Sequence, residues 1–297
     1  MKKTILFICL VACINVGCKK NKKESESQKN DFKYDVTVNV NGGDFTQIIH
    51  SKPLTTNALK TNAADTVLTN AINIFYYQIY DASNKLITTV KQTSDQSNFG
   101  VITASLTNGS YTFAIIGSKK LNGYDYDLMA NANYYYFSSN NTSVGDTFFK
   151  KINVTVSGAA VTQNITLDRI IGQLEINLEG INSFILSGSF LVEGEKRYYS
   201  IWDNAAASNA IIALNYNFGN GDYGVKPRYV TNILNTNSPL TVTVEFNGSQ
   251  TYKKTISVQC KKNTRTVLTG TTSPTGNGTY NIDFNTSYST DTLRKGF

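Results

Sequence analysis

The sequence predicts an all-β protein: two β-sandwich domains in tandem, behind a short leader and a polar tether. Three observations predict it. Apolar and polar residues alternate over short runs, the period of a strand with one buried face, and helix-period patterns are nearly absent. The runs are rich in Val, Ile, Tyr, Phe and Thr and are broken by Asn, Gly, Ser and Asp, the punctuation of an all-β sandwich. The pattern also restarts at Asp168-Arg169-Ile170-Ile171-Gly172, roughly halfway along the chain. A single large barrel is the competing architecture, and the restart argues against it.

The chain opens with a basic pair, Lys2 and Lys3, then a mostly apolar run from Thr4 to Val16 that ends at Gly17-Cys18. A membrane-spanning helix needs about 20 apolar residues, so this run is too short to span and has the length of a signal peptide. From Lys19 to Asp31 the sequence turns polar and charge-mixed, with no core-forming residue. The leader resembles that of a bacterial lipoprotein, in which a cysteine after small residues is acylated and becomes the new N-terminus. Cys18 is the expected lipidation site, with residues 1–17 as signal peptide and 18–32 as lipidated cysteine and flexible tether. Cys13 is the alternative: Leu10-Val11-Ala12 is the better match to the lipobox, but it leaves a short leader.

The N-terminal sandwich is expected over 33–168. Tyr34, Val36, Val38 and Val40 alternate with polar neighbours as a first strand, ended by Gly42-Gly43. Residues 51–69 read as a long polar loop. The run 72–80 is a densely aromatic strand, and Asp81 to Lys85 turns it back into Leu86 to Val90. Val101 to Leu106 is followed by Asn108-Gly109, a hairpin signal because both turn positions tolerate positive φ, and by Tyr111 to Gly117. Residues 121–146, with Tyr134-Tyr135-Tyr136-Phe137, read as a long crossing loop. Phe148 to Val156 and Val161 to Leu167 read as a pair turning at Ser157-Gly158.

The C-terminal sandwich is expected over 169–297. Leu174, Ile176 and Leu178 alternate with Glu175 and Asn177. Strands follow at 184–192, 196–202, 211–218, 229–234, 240–246, 252–260, 264–270 and 279–284, with a hairpin turn at Asn247-Gly248.

Charge and composition exclude several functions. The net charge of +7 is concentrated in the leader and tether, and the remaining body carries only about +3. That is weak support for nucleic-acid binding, which needs Lys and Arg clustered on one face, and no nucleic-acid partner is predicted. Processing at Cys18 leaves Cys260 as the body's single cysteine, so neither an internal disulfide nor a cysteine metal cluster is expected. Cys260 sits in a strand pattern and reads as a buried, inert thiol. His50 is the only histidine and lies in a polar region. No metalloprotease, nucleophile-elbow, P-loop or dinucleotide motif occurs, so no catalytic residue and no cofactor is predicted. Asn217 to Asp222, and Asp125 with Asp127, offer oxygen donors without calcium-loop spacing and read as polar turns, so no metal site is predicted.

The stretch Leu106 to Gly117, LTNGSYTFAIIG, and the junction Leu167 to Ile176, LDRIIGQLEI, resemble motifs of the fimbrillin-like proteins of Bacteroidota. Together with the lipoprotein leader, they are similar to the branch that anchors fimbriae. The resemblance implies two transthyretin-like Greek-key sandwiches and a lipid anchor in the cell outer membrane; a surface-exposed body is the expectation, with a periplasmic one as the alternative. It also implies a non-enzymatic role in fimbrial anchoring, assembly or adhesion. The family assembles by donor-strand exchange, in which a foreign strand completes an open sheet. In its shaft subunits an Arg-specific protease first removes the leading strand. Here no arginine precedes Arg169, so the strand at Tyr34 to Val40 cannot be released in that way, which suits an anchor. Lys19, after the anchor cysteine, is not the aspartate that retains enteric lipoproteins in the inner membrane.

The aromatic content supports a second function class. Tyr198, Tyr199 and Trp202 are candidate ligand-facing aromatics of a surface glycan-binding lipoprotein. A glycan binder should present a coplanar row of exposed rings, and a fimbrial anchor an open sheet edge or groove.

Overall fold

The structure is a computed structural model, and it describes residues 32–41, 68–119, 128–137, 144–181, 185–217, 228–248, 251–274 and 280–285. Residues Phe32–Phe297 form one compact unit. The described residues are almost entirely β, and none of their helices is long and apolar enough to cross a membrane.

The first half contains two facing sheets. β4 (Val101–Thr107), β1 (Lys33–Asn41) and β9 (Val161–Thr166) form one, with β1 central, antiparallel to β4 and parallel to β9. The other runs in the order β10 (Asp168–Arg169), β8 (Asp146–Val156), β5 (Gly109–Lys119), β2 (Ile74–Tyr80), β3 (Leu86–Thr93). A single helical turn, α1 (Leu68–Ala71), precedes β2. Strand alternation dictates the core. Val36, Val38 and Val40 point inward from β1 against Phe75, Tyr77 and Ile79 of β2 and Phe113 and Ile115 of β5. Each such side chain contributes roughly 1.5–3 kcal/mol by leaving water.

The second half repeats this connectivity. β14 (Arg228–Ile233), β11 (Gly172–Glu179) and β17 (Arg265–Pro274) form a sheet in which β11 is antiparallel to β14 and parallel to β17, and β18 (Tyr280–Asn285) extends it. The facing sheet joins β16 (Thr251–Val258), β15 (Leu240–Gly248), β12 (Ile185–Ser200) and β13 (Ala205–Asn217). Seven strands therefore recur in the same chain order and with the same neighbours, β1-β2-β3-β4-β5-β8-β9 and then β11 to β17. Leu174, Ile176, Leu178, Phe190, Val192, Val242, Val244 and Leu268 fill the second core.

Several local expectations are corrected. The 121–146 stretch is not only a loop: β6 (Leu128–Ala130) and β7 (Tyr134–Phe137) form a hairpin within it. This hairpin precedes the expected boundary at 168/169, yet β7 pairs with β12 of the second half. The strands expected at 184–192 and 196–202 are one strand, because Gly194 takes φ +86 and absorbs a bulge between Glu193 and Glu195 without ending the ladder. Asn108-Gly109 makes no hairpin. β4 and β5 lie in different sheets, and the turn is a corner between them. There the Tyr111 hydroxyl donates back to the Thr107 carbonyl at 3.0 Å, and Asn108 Oδ1 accepts from the Gly158 N–H at 2.7 Å. β8 and β9 are likewise in opposite sheets and do not pair. β15 and β16 do pair as neighbours, out to Asn247 and Thr251, and the turn itself runs into residues 249–250, outside the described residues.

A third apolar cluster lies between the halves. The outer face of the five-stranded sheet, with Tyr80, Ala114, Ile116 and Phe149, packs on Tyr135, Phe137, Tyr199 and Ile201.

Candidate functional site: a tyrosine face

β7 and β12 meet in the register Tyr134↔Ser200, Tyr135↔Tyr199, Tyr136↔Tyr198, and β13 places Ala207 beside Tyr198. Cross-strand partners share a face of the sheet, and successive residues alternate faces. The consecutive tyrosines are thus sorted to opposite sides. Tyr135 and Tyr199 turn inward, at 0% and 1% exposure. Tyr134, Tyr136 and Tyr198 share the outer face, with Tyr134 and Tyr198 each 37% exposed.

The inner pair is packing. Tyr135 donates to the Ala114 carbonyl at 2.8 Å and Tyr199 to Asn204 Oδ1 at 2.7 Å, while the Phe149 ring lies 6.0 and 4.9 Å from theirs. Burial pushes both phenols well above the usual tyrosine range. Tyr199 is therefore not ligand-facing, contrary to the sequence expectation. Trp202 is half-buried. It meets the Tyr80 ring edge-on at 4.9 Å, its indole N–H donates to Asn133 Oδ1 at 3.3 Å, and the Lys151 ammonium lies 5.5 Å from its ring. Only Tyr198 of the three expected aromatics stands on the exposed face.

Tyr134 and Tyr136 join it from the segment read as a loop. The Tyr134 and Tyr198 centroids are 6.0 Å apart at 44°, and those of Tyr136 and Tyr198 are 5.9 Å apart at 83°. These rings are inclined, so they do not form a coplanar row. Tyr134 and Tyr198 border a cavity of about 250 Å³, lined also by Asn131, Ala207 and Ser208.

The cavity wall is fixed from the first half. Asn131 Oδ1 accepts the N–H groups of Asn133 and Tyr134 at 2.9 and 2.8 Å, an Asx turn that sets the β6–β7 bend. Gln78 of β2 is fully buried and donates to the Asn131 carbonyl at 2.8 Å, and Tyr80 donates to the Ala132 carbonyl at 2.9 Å. On the far side, Ser208 holds φ +61 within the β12–β13 ladder, a left-handed conformation unusual for a non-glycine residue.

Cys260 is fully buried, and desolvation pushes its thiol up to about 12. Among the described residues no three His, Cys, Asp or Glu side chains converge to hold a metal. Cys13, Cys18, His50, Asp125, Asp127 and residues 218–222 lie outside the described residues. As for edges, β3, β4, β13 and β16 each pair on one side only among the described strands.

No protein-family model and no curated sequence matches the chain. Solved structures do. The fimbrial anchor protein Mfa2 from Porphyromonas gingivalis superposes with a TM-score of 0.57 at 12% identity, over 89% of this chain and 100% of that one. The chain shares the fold of Mfa2. A candidate adhesin from Bacteroides thetaiotaomicron matches with a TM-score of 0.54 at 11% identity, over 87% of this chain and 97% of that one. A protein of the same species, described as a candidate polysaccharide-binding protein, matches at 0.56 with 10% identity, over 81% and 92% of the two chains. The all-β expectation and the fimbrillin-like resemblance are supported at the level of fold.

Proposed function

We propose that this chain is a non-enzymatic, lipid-anchored protein of the cell outer membrane that serves in fimbrial anchoring, assembly or cell-surface adhesion. The carrying observation is that its fold runs through the whole of the Mfa2 structure. The position of β1 supports the anchor role. It is the central strand of its sheet, between β4 and β9, and its three valines are buried in the first core. With no arginine before Arg169, this strand stays with its own domain, so the groove that a donor strand would fill is already occupied. One-sided edges such as β13 remain for strand addition from a partner. Acylation at Cys18 supplies the membrane attachment, each buried methylene contributing about 0.8 kcal/mol. The tether to residue 32 reaches at most about 45–50 Å from it.

Crosslinking on intact cells, followed by purification of this protein, tests the reading. Fimbrial subunits are expected in the crosslinked material, and recovering none from fimbriate cells overturns the anchor role. Palmitate labelling tests the attachment. Cys18→Ala is expected to abolish the label, and a fully labelled variant moves the anchor to Cys13.

A second reading is surface glycan binding. The exposed tyrosines on β7 and β12 favour it, as does the fold shared with the candidate polysaccharide-binding protein.

A further inference from the structure

We propose that the cavity lined by Asn131, Tyr134, Tyr198, Ala207 and Ser208 binds one neutral pyranose ring, as the terminal sugar of a glycan. The inference rests on the glycan reading above and is independent of the anchor role.

The ring geometry comes first. An aromatic face carries partial negative charge, and the axial C–H bonds of a pyranose present an apolar, slightly positive face to it. A coplanar row of rings suits a long polysaccharide, which can slide along it. Here the two rings are inclined at 44° with centroids 6.0 Å apart. Rings at that separation are in contact with each other, so a sugar seated in the adjoining cavity stacks on the free face of one ring and meets the edge of the other, and neighbouring sugars have no third coplanar ring to follow. Tyr136 stands nearly perpendicular to Tyr198, at 83°, so it does not extend either ring into a coplanar row.

Size points the same way. A cavity of about 250 Å³ is below the range of drug-sized pockets and matches a single small ring.

The lining selects for charge and for hydroxyl groups. Asn131, Tyr134, Tyr198, Ala207 and Ser208 are all uncharged, so an acidic or cationic ligand would lose hydration there without a counter-charge. The Ser208 hydroxyl, the two phenols and the Asn131 side-chain amide nitrogen all supply hydrogen-bonding groups. Asn131 uses its oxygen for the Asx turn, which aims the amide group without occupying the nitrogen. Ala207 beside Tyr198 keeps the floor low.

The wall is also rigid before any ligand arrives. Gln78 and Tyr80 hold the bend at residues 131 and 132, and Ser208 takes φ +61 in β13 between Ala207 and Asn209, which both pair with β12. A left-handed serine is strained, and such strain concentrates at ligand sites. Rigidity lowers the ordering cost of binding. A single sugar of about a dozen heavy atoms still binds only in the millimolar range, and multiple copies on a cell surface would raise that by avidity.

The test uses the full chain in detergent and four probes: the methyl glycosides of glucose, galactose, mannose and N-acetylglucosamine. Saturation-transfer NMR reads binding. Emission from Trp202, the only tryptophan, reads the Asn133 bend it is bonded to. At least one glycoside is expected to bind the unaltered protein. Tyr198→Ala and Tyr134→Ala should each weaken it at least tenfold, whereas Tyr198→Phe, which keeps the ring, should stay within about threefold. A cooperative melt confirms that each variant is folded. Binding that survives both alanine variants overturns this site while leaving the glycan reading intact. Absence of binding by all four glycosides overturns the inference alone, binding of none of a panel of longer glycans overturns the glycan reading as well, and the crosslinking result stands apart from both.

Discussion

Arg169 grips Asp146 with two parallel hydrogen bonds, Nε to Oδ1 at 2.7 Å and Nη2 to Oδ2 at 2.8 Å. The same guanidinium donates through Nη1 to Asn263 Oδ1 at 2.7 Å, and its carbon lies 4.8 Å from the Phe148 ring centroid. Asp146 begins β8 of the first half, and Asn263 sits in the turn before β17 of the second. One side chain thus joins the two halves at the point where the chain passes between them.

Arg169→Ala should therefore destabilise the protein strongly. The arginine side chain is only 7% exposed, and its removal strands a carboxylate that is 26% exposed. Breaking a buried pair costs 3–5 kcal/mol, and the exposure of Asp146 puts the expected loss near the lower limit, about 3 kcal/mol. Arg169→Lys should recover less than half of it, because an ammonium cannot make the two-pronged contact. Urea denaturation of both variants, with Asp146→Asn in a double-mutant cycle, measures the coupling.

Gly172→Ala should also be damaging, somewhat less so and for a different reason. A Cβ there would lie 2.5 Å from the Lys261 carbonyl oxygen and 3.3 Å from the Cys260 Cβ. The neighbour is backbone, and it is held by the Asn263 N–H donating to the Ile171 carbonyl at 2.7 Å and by Gln173 N–H donating to Thr264 at 2.9 Å. Overpacking of this kind costs about 2 kcal/mol. A lowered melting temperature with unchanged strand content by circular dichroism is the expected result.

Glu195 makes stability depend on pH. It is buried beside the Gly194 bulge, and its carboxyl oxygens accept from the backbone N–H groups of Leu234 at 2.6 Å and Asn235 at 3.2 Å. Burial raises its pKa from the ordinary 4.5 to about 7, against the lowering effect of those bonds and of Lys196. Between about 4.5 and 7 the unfolded chain has lost the proton and the folded chain still holds it. Stability from this group is therefore full below pH 4.5 and falls as pH rises to about 7. The span corresponds to roughly 3 kcal/mol. Glu195→Gln should flatten that slope, measured by urea denaturation at pH 5 and pH 8.

Tyr111→Phe isolates the corner between the sheets. The substitution removes a hydroxyl that lies 3.0 Å from both the Thr107 carbonyl and the Thr107 hydroxyl while keeping the buried ring. The net cost should be about 1 kcal/mol, the ordinary worth of one such bond. A loss above about 3 kcal/mol by chemical denaturation would mean that the corner does more than this bond accounts for.

The fold class was legible because alternation writes burial directly into a strand. Val36, Val38 and Val40 were assigned inward from sequence and are buried. Pairing was less legible, since a turn signal does not say which sheet receives the next strand. Asn108-Gly109 has the residues of a hairpin and makes a corner, because Leu106 and Tyr111 belong to opposite sheets of one core. The site was half legible for a related reason. A run of tyrosines shows that rings are abundant but not which of them alternate outward. Tyr198 and Tyr199 differ by one position and end on opposite faces. Tyr134 and Tyr136 became visible as partners of Tyr198 only through a register set by residues some sixty positions away. The bulge at Gly194 explains why one sixteen-residue strand read as two.

The β6–β7 hairpin has a mechanical consequence. The chain leaves the first half after β5, pairs with β12, and returns to β8 before it leaves again at Arg169. The halves are therefore stitched rather than strung like beads. A pull between the two ends of the molecule cannot swing one half off the other at the junction alone. It must also peel Tyr134, Tyr135 and Tyr136 from β12 and draw Tyr135 and Tyr199 out of the packing around Phe149. Under tension such a body should yield in one large step instead of two small ones, a difference that single-molecule force spectroscopy resolves.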